Sequence, residues 1–238
     1  MPQKKFLTAE WRKLIMANYI VDPSLLEKFV PAKTEIDLWK GNCYVSLVGF
    51  MFQNVRLKGT RIPCHVNFPE VNLRFYVRHK ENNEWKRGVV FIHEIVPKPA
   101  ITFVANTLFK EHYVTLPMRY AWIKEKDSFN ISYQWKKNNR WNRMEVLKEL
   151  SPKPLEAGSE EEFITEHFWG YAAATPTSAA EYQVAHPRWE IYPVNDYTID
   201  CDFGDLFGDN FSSLNNKKPD SVFLAEGSPI TVFQKKIV

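Results

Sequence analysis

The stretch EVNLRFYVR at residues 70–78 alternates polar and apolar side chains without a break. Successive side chains of an extended chain point to opposite faces, so Glu70, Asn72, Arg74, Tyr76 and Arg78 share one face and Val71, Leu73, Phe75 and Val77 the other. A helix would mix the two sets; a strand separates them. Residues 88–96 form a second strand, and Glu81-Asn82-Asn83-Glu84 between them supplies a turn, which predicts an antiparallel pair. Cys43 to Gln53 is nearly continuous in apolar character, as a strand buried on both faces would be. Aromatics at 15% set against nine glycines also favour strands over a helical bundle.

Around these strands the pattern predicts short helices at 9–19 and 23–30, the second opened by Asp22-Pro23, and another at 100–110. Residues 113–124, 128–136 and 140–147 read as a meander. Ser159 and Glu162 form a capping box that opens a helix to about His167. Strands follow at 168–174, 181–186 and 188–199, then a short acidic helix at 202–210 and a strand pair at 221–225 and 230–236. The strand-like pattern continues past Ser151-Pro-Lys-Pro, so the expectation is one α+β domain over 1–238, mainly β, on a barrel-like or sandwich-like antiparallel sheet.

Three cysteines are too few for a disulfide framework and suit a reducing, cytoplasmic setting. The N-terminal lysines are not followed by an apolar core, and the longest apolar run, 44–52, is far short of a membrane span. Residues 1–150 hold 25 Lys+Arg against 14 Asp+Glu, and the remainder 6 against 14. The basic residues are scattered between apolar ones and carry no nucleic-acid-binding signature, so neither nucleic acid nor membrane is expected as a partner. GxGxxG, GxxxxGK[ST] and GxSxG are absent. His93-Glu94 resembles the start of HExxH, but Pro97 replaces the second histidine; hydrogen-bonded structural roles account for Cys64-His65 and His186 more simply than zinc. No cofactor or metal is expected.

Two segments could carry chemistry. The Glu70/Asn72/Arg74/Tyr76 face is ordinary if it meets solvent; if it points into a lumen, its charged groups need partners or a ligand, and Arg74 suits bidentate capture of a carboxylate. In HEIVPKPAI at 93–101, Lys98 stands between two prolines at the end of an apolar strand, an environment that tends to lower an ammonium pKa unless the side chain reaches water.

The order LLEKFVPAKTEID, NFPEVNLRFYV, GVVFIHEIVPKPA, TEHFWGY and AHPRWEIY resembles the YqjF-like uncharacterised proteins of the acetoacetate decarboxylase-like superfamily. The resemblance implies a cone-shaped, closed or nearly closed antiparallel β-barrel around an internal pocket, with short helices outside. It also aligns Lys98 with that superfamily's Schiff-base lysine, with Glu94 and Pro97 matching. Pro99 departs from the pattern where the decarboxylases carry a second lysine. No Asp or Glu occurs between Asp37 and Glu70, where they carry pocket glutamates; Arg56, Lys58 and Arg61 stand there instead.

The first expectation is therefore a barrel whose basic pocket, lined by Arg61, Glu70, Asn72, Arg74, Tyr76 and Trp189, holds an anionic, partly apolar ligand. Arg74 should face inward, with Glu70 close to a basic residue. The second is a Schiff-base lyase acting on a keto acid through Lys98, with Glu94 and with His186 as a proton-shuttling group near the mouth. A homo-oligomer is left open.

Overall fold

The computed structural model describes residues 3–109, 111–126, 128–148 and 150–238. Seven strands dominate it: β1 (Lys5–Val21), β2 (Cys43–Leu57), β3 (Phe68–Glu81), β4 (Glu84–Val96), β5 (Trp169–Thr175), β6 (Ser178–Ala185) and β7 (Ser221–Phe233). Each pairs with the next in sequence, and β7 returns to pair with β1, so the hydrogen-bonded order closes on itself. A sequential ring with an odd number of strands cannot be antiparallel throughout. The parallel junction is β4–β5, where Trp169 opposes Gly88 and Gly170 opposes Val89. Parallel neighbours need a long crossover, and residues 97–168 supply it.

That crossover builds α1 (Pro99–Phe109), α2 (Glu160–Thr165) and three strands of a second antiparallel sheet, Met118–Lys124, Phe129–Lys137 and Arg140–Lys148, completed by Val194–Asp200. The second sheet covers one flank of the ring. Tyr133, Trp135, Met144 and Val146 share a buried core with Val45, Leu47, Val71 and Leu73, and α3 (Phe203–Phe207) joins it through Phe203, 5.4 Å from Tyr19. Gly49 makes the contact possible: a Cβ there would lie 2.4 Å from Met144 Sδ. The alternating residues of the same strands, among them Leu14, Met16, Val48, Phe50 and Tyr76, form a second core inside the ring. This fits the mainly β class expected from the sequence, with the parallel junction within the ring as a refinement.

Several elements differ from expectation. Residues 9–19 lie in β1 instead of forming a helix. Leu14 to Tyr19 are all buried because the strand has a core on each side, which erases period-2 alternation, and a bulge at Lys13 (φ 55) shifts the phase. Residues 23–30 make two single 3-10 turns. Residues 113–124 split into Tyr113–Thr115, paired in parallel with β4, and Met118–Lys124; residues 188–199 split at Ile191–Tyr192. The expected strand pair at 221–236 is mostly one strand, bent at Gly227 (φ +79), where a Cβ would meet Trp11 O at 2.0 Å. The predicted helix at 100–110 is α1; its last residue lies outside the described residues. Among the described residues no helix is long and apolar enough to cross a membrane.

Candidate active site

All seven ring strands contribute side chains to one internal cavity of about 240 Å³, which α1 closes with Ala100, Ile101, Val104 and Phe109. Its wall is aromatic. Trp11 packs edge-on against Phe50, Phe52 and Trp189 at 5.4–6.2 Å between centroids. His186 stacks on Trp189 at 4.3 Å.

One end of the cavity is polar. The inward face of β3 delivers Glu70, Asn72 and Arg74, each under 10% exposed, because the other face of the strand is claimed by the second sheet. Asn72 Nδ2 donates to Glu70 Oε1 at 3.0 Å, and Tyr113 OH donates to Glu70 Oε2 at 3.1 Å. Glu94, opposite Asn72 on β4, is 2% exposed, and its Oε2 has no hydrogen-bond partner among the described residues. Glu111 accepts from Tyr182 OH at 2.7 Å. That bond depends on Gly170, since a Cβ there would lie 2.1 Å from the Tyr182 ring. Gly170→Ala is expected to displace Tyr182 and to destabilise the fold by about 2 kcal/mol, read as a lowered urea midpoint; an unchanged midpoint would show that the ring can move without loss.

Three buried carboxyl groups close together cannot all ionise. Burial raises Glu70 to about 7, even though Asn72, Tyr113 and the Arg74 charge lower it. Burial likewise raises Glu111 to about 8. Glu94 is pushed up by burial and then by the charges of Glu111 and Glu70. Burial and its acidic neighbours thus favour the neutral carboxylic acid at Glu94, and of the other two carboxyl groups Glu70, beside Arg74, ionises more readily than Glu111. Arg74 is the one lysine or arginine among the described lining residues. Its guanidinium donates to Ile164 O at 3.2 Å, and its buried Nε has no partner among the described residues.

The remaining predicted site residues fall as follows. Trp189 lines the cavity with its Nε1 donating to Ser228 Oγ at 2.8 Å. His186 lines it too, half-buried, its pKa lowered first by burial. Tyr76 points inward but stands behind the cavity: its OH donates to Ser46 Oγ at 2.6 Å, and its ring supports His167 at 4.7 Å. Arg61 is exposed on the loop before β3, beside Ile62, and does not line the cavity. Lys98 is half-buried and outside the lining; its carbonyl accepts from the amides of Ile101 and Thr102 and so starts α1. The structure thus gathers Glu70, Asn72, Arg74, Glu94, His186 and Trp189, and sets Lys98 and Arg61 apart. Sequence reading missed Glu111 and His167. Glu111 had a local signal, since Glu111 and Tyr113 share one side of an extended segment; His167 had none.

A family model described as "Uncharacterized conserved protein (COG2071)", DUF2071, matches residues 8–229. The chain belongs to the DUF2071 family. It is 34% identical over 131 residues to the uncharacterized protein YqjF of Bacillus subtilis (strain 168), a match that spans 54% of this chain and half the length of that relative. Solved structures share the fold of this DUF2071 chain at low identity. Acetoacetate decarboxylase from Legionella pneumophila superposes with a TM-score of 0.68 at 14% identity, over 99% of this chain and 88% of its own. The enduracididine biosynthesis enzyme MppR, complexed with pyruvate, gives 0.70 at 11% identity, over 100% and 91%. An acetoacetate decarboxylase-like enzyme from Sphingomonas wittichii RW1 gives 0.69 at 11%, over 99% and 94%.

Proposed function

We propose that this protein binds a small, partly apolar carboxylic acid inside the ring, with the carboxylate against Arg74 and the hydrocarbon end among Trp11, Phe50, Phe52, Phe68 and Trp189. The observation that carries this reading is a buried guanidinium whose Nε lacks a partner, at the polar end of an aromatic chamber. Buried donors are normally satisfied, and a carboxylate is the acceptor that a guanidinium fits best. Glu94 and Glu111, held neutral by burial, do not repel an incoming anion. Glu70, poised near neutrality, takes up a proton as the ligand's charge replaces its own at Arg74.

Trp11 and Trp189 in the wall give a direct readout. Titration with octanoate is expected to quench tryptophan emission to saturation, whereas octylamine of equal length has little effect. Calorimetry in two buffers of different ionisation enthalpy should show proton uptake on octanoate binding. Equal binding of octylamine would overturn the reading.

The fold shared with acetoacetate decarboxylase supports a second reading, imine formation at Lys98. Borohydride reduction in the presence of acetoacetate or pyruvate, followed by mass mapping, tests it. No adduct is expected, because Lys98 stands outside the cavity lining. An adduct on Lys98 that is lost in Lys98→Ala would establish the enzyme reading.

A further inference from the structure

Beside Arg74 the cavity carries a second polar element, the pair Asp37 and His167. His167 lines the cavity, is 7% exposed, and lies between the rings of Tyr76 and Phe163 at 4.7 and 5.1 Å. Its Nε2 meets Asp37 Oδ2 at 3.2 Å, and the same oxygen accepts from Arg87 Nε at 2.6 Å. Burial pushes Asp37 up, but the bonds from His167 and Arg87 outweigh it and hold the carboxyl below its usual value. Asp37 is thus an ionised acceptor, and an acceptor requires the hydrogen on Nε2.

Burial lowers His167 to about 4, and the charges of Arg87 and Arg74 add to the effect, so the ring is neutral at pH 7. With its one hydrogen on Nε2, a neutral imidazole has a bare lone pair on Nδ1. Nδ1 is buried and has no hydrogen-bond partner among the described residues. The two unfilled positions are therefore complementary: Arg74 Nε offers a hydrogen, and His167 Nδ1 asks for one. A plain carboxylate answers only the first. A ligand that places a neutral donor next to its carboxylate answers both. The donor is a hydroxyl and not an ammonium, because the Arg74 and Arg87 charges that disfavour imidazolium disfavour any cation at that ring.

We infer that Asp37 and His167 read a hydroxyl adjacent to the ligand carboxylate, so that the preferred ligands are 2-hydroxy acids with an apolar chain. Asp37 is the positioning residue that fixes the tautomer, and His167 makes the contact. This rests on the carboxylic-acid reading above and narrows it.

The test compares octanoate, 2-hydroxyoctanoate and 2-aminooctanoate on the unaltered protein. The hydroxy acid is expected to bind at least about tenfold more tightly than octanoate, and the amino acid no more tightly. His167→Phe should abolish the preference, so that 2-hydroxyoctanoate and octanoate bind that variant with equal affinity. Equal binding of octanoate and 2-hydroxyoctanoate overturns this inference alone; failure of every acid to bind overturns it together with the carboxylic-acid reading. Nitrogen-15 spectra of histidine-labelled protein need no variant. Nδ1 of His167 should be unprotonated and should shift with 2-hydroxyoctanoate but not with octanoate, and a proton on Nδ1 would sink the assignment.

Discussion

Between pH 6.5 and 8 the protein is expected to lose about 2 kcal/mol of stability from Glu111 alone, on the order of 5 °C in Tm for a chain of this size. The loss comes from the cavity carboxyl groups. In the unfolded chain a glutamate is ionised above about 4.5, whereas folded Glu111 keeps its proton to about 8 and Glu94 is raised well above its ordinary value. Each is a group whose folded pKa is raised, so the stability it contributes is complete below the unfolded pKa and drains away as pH rises to the folded one. Each proton held only by the folded state costs about 1.4 kcal/mol per pH unit. The buried histidines oppose this at lower pH. His167 sits at about 4 when folded, so its contribution grows as pH rises through that value and is complete about one pH unit above 6.5, once the unfolded histidine is neutral. Above about 7.5 only the carboxyl slope remains. Glu111→Gln, which keeps the neutral shape and removes one ionisation, should remove the Glu111 share of it. Thermal melts of both proteins at pH 6.5, 7.2 and 8.0 measure this directly. A flat Tm for the unaltered protein would mean that water reaches the cluster.

Arg74→Leu is expected to weaken octanoate binding by about 100-fold, within the range of roughly 2–5 kcal/mol for truncating one partner of a buried charged contact. The substituted side chain also strips Glu70 of the cation that favours its ionised form. Glu70 then holds its proton to higher pH, so the variant should lose its stability penalty at pH 5, where Glu70 is already neutral in both proteins. Arg74→Lys should not restore binding, because an ammonium offers no Nε–H at the same place and no planar fork. Calorimetric titration of the three proteins at pH 7, with melts at pH 5 and 8, reads both effects. Octanoate affinity unchanged in Arg74→Leu would remove Arg74 from the site.

The alternation EVNLRFYVR made both the strand and its polar face legible, because one face of β3 belongs to the second sheet and the other to the cavity, and each demands a different residue type. The same rule failed on β1. There both faces are apolar and the Lys13 bulge shifts the phase, leaving spacing that imitates a helix. At the site, legibility stopped at local order. Glu70, Asn72 and Arg74 are neighbours on one strand and could be read together. His167 and Asp37 lie 130 positions apart, and Glu111 and Tyr182 lie 71 apart; only ring closure brings each pair together. Lys98 illustrates the converse, since the motif is present in sequence while the residue stands outside the cavity lining.

The odd strand count has a mechanical consequence. The β5–β6 hairpin is joined to the ring by two residue pairs on each side, Trp169–Gly88 and Gly170–Val89 toward β4, and Val184–Val232 and Ala185–Thr231 toward β7. Every other seam of the ring is far longer. Trp169, Gly170, Tyr182 and Val184 of this hairpin form part of the cavity wall. The ring is therefore a five-strand cradle with long seams and a more loosely joined flap, whose strand β6 also pairs with Lys236–Ile237. The flap is held to the ring by the fewest ladder pairs, so the ring is expected to open there first.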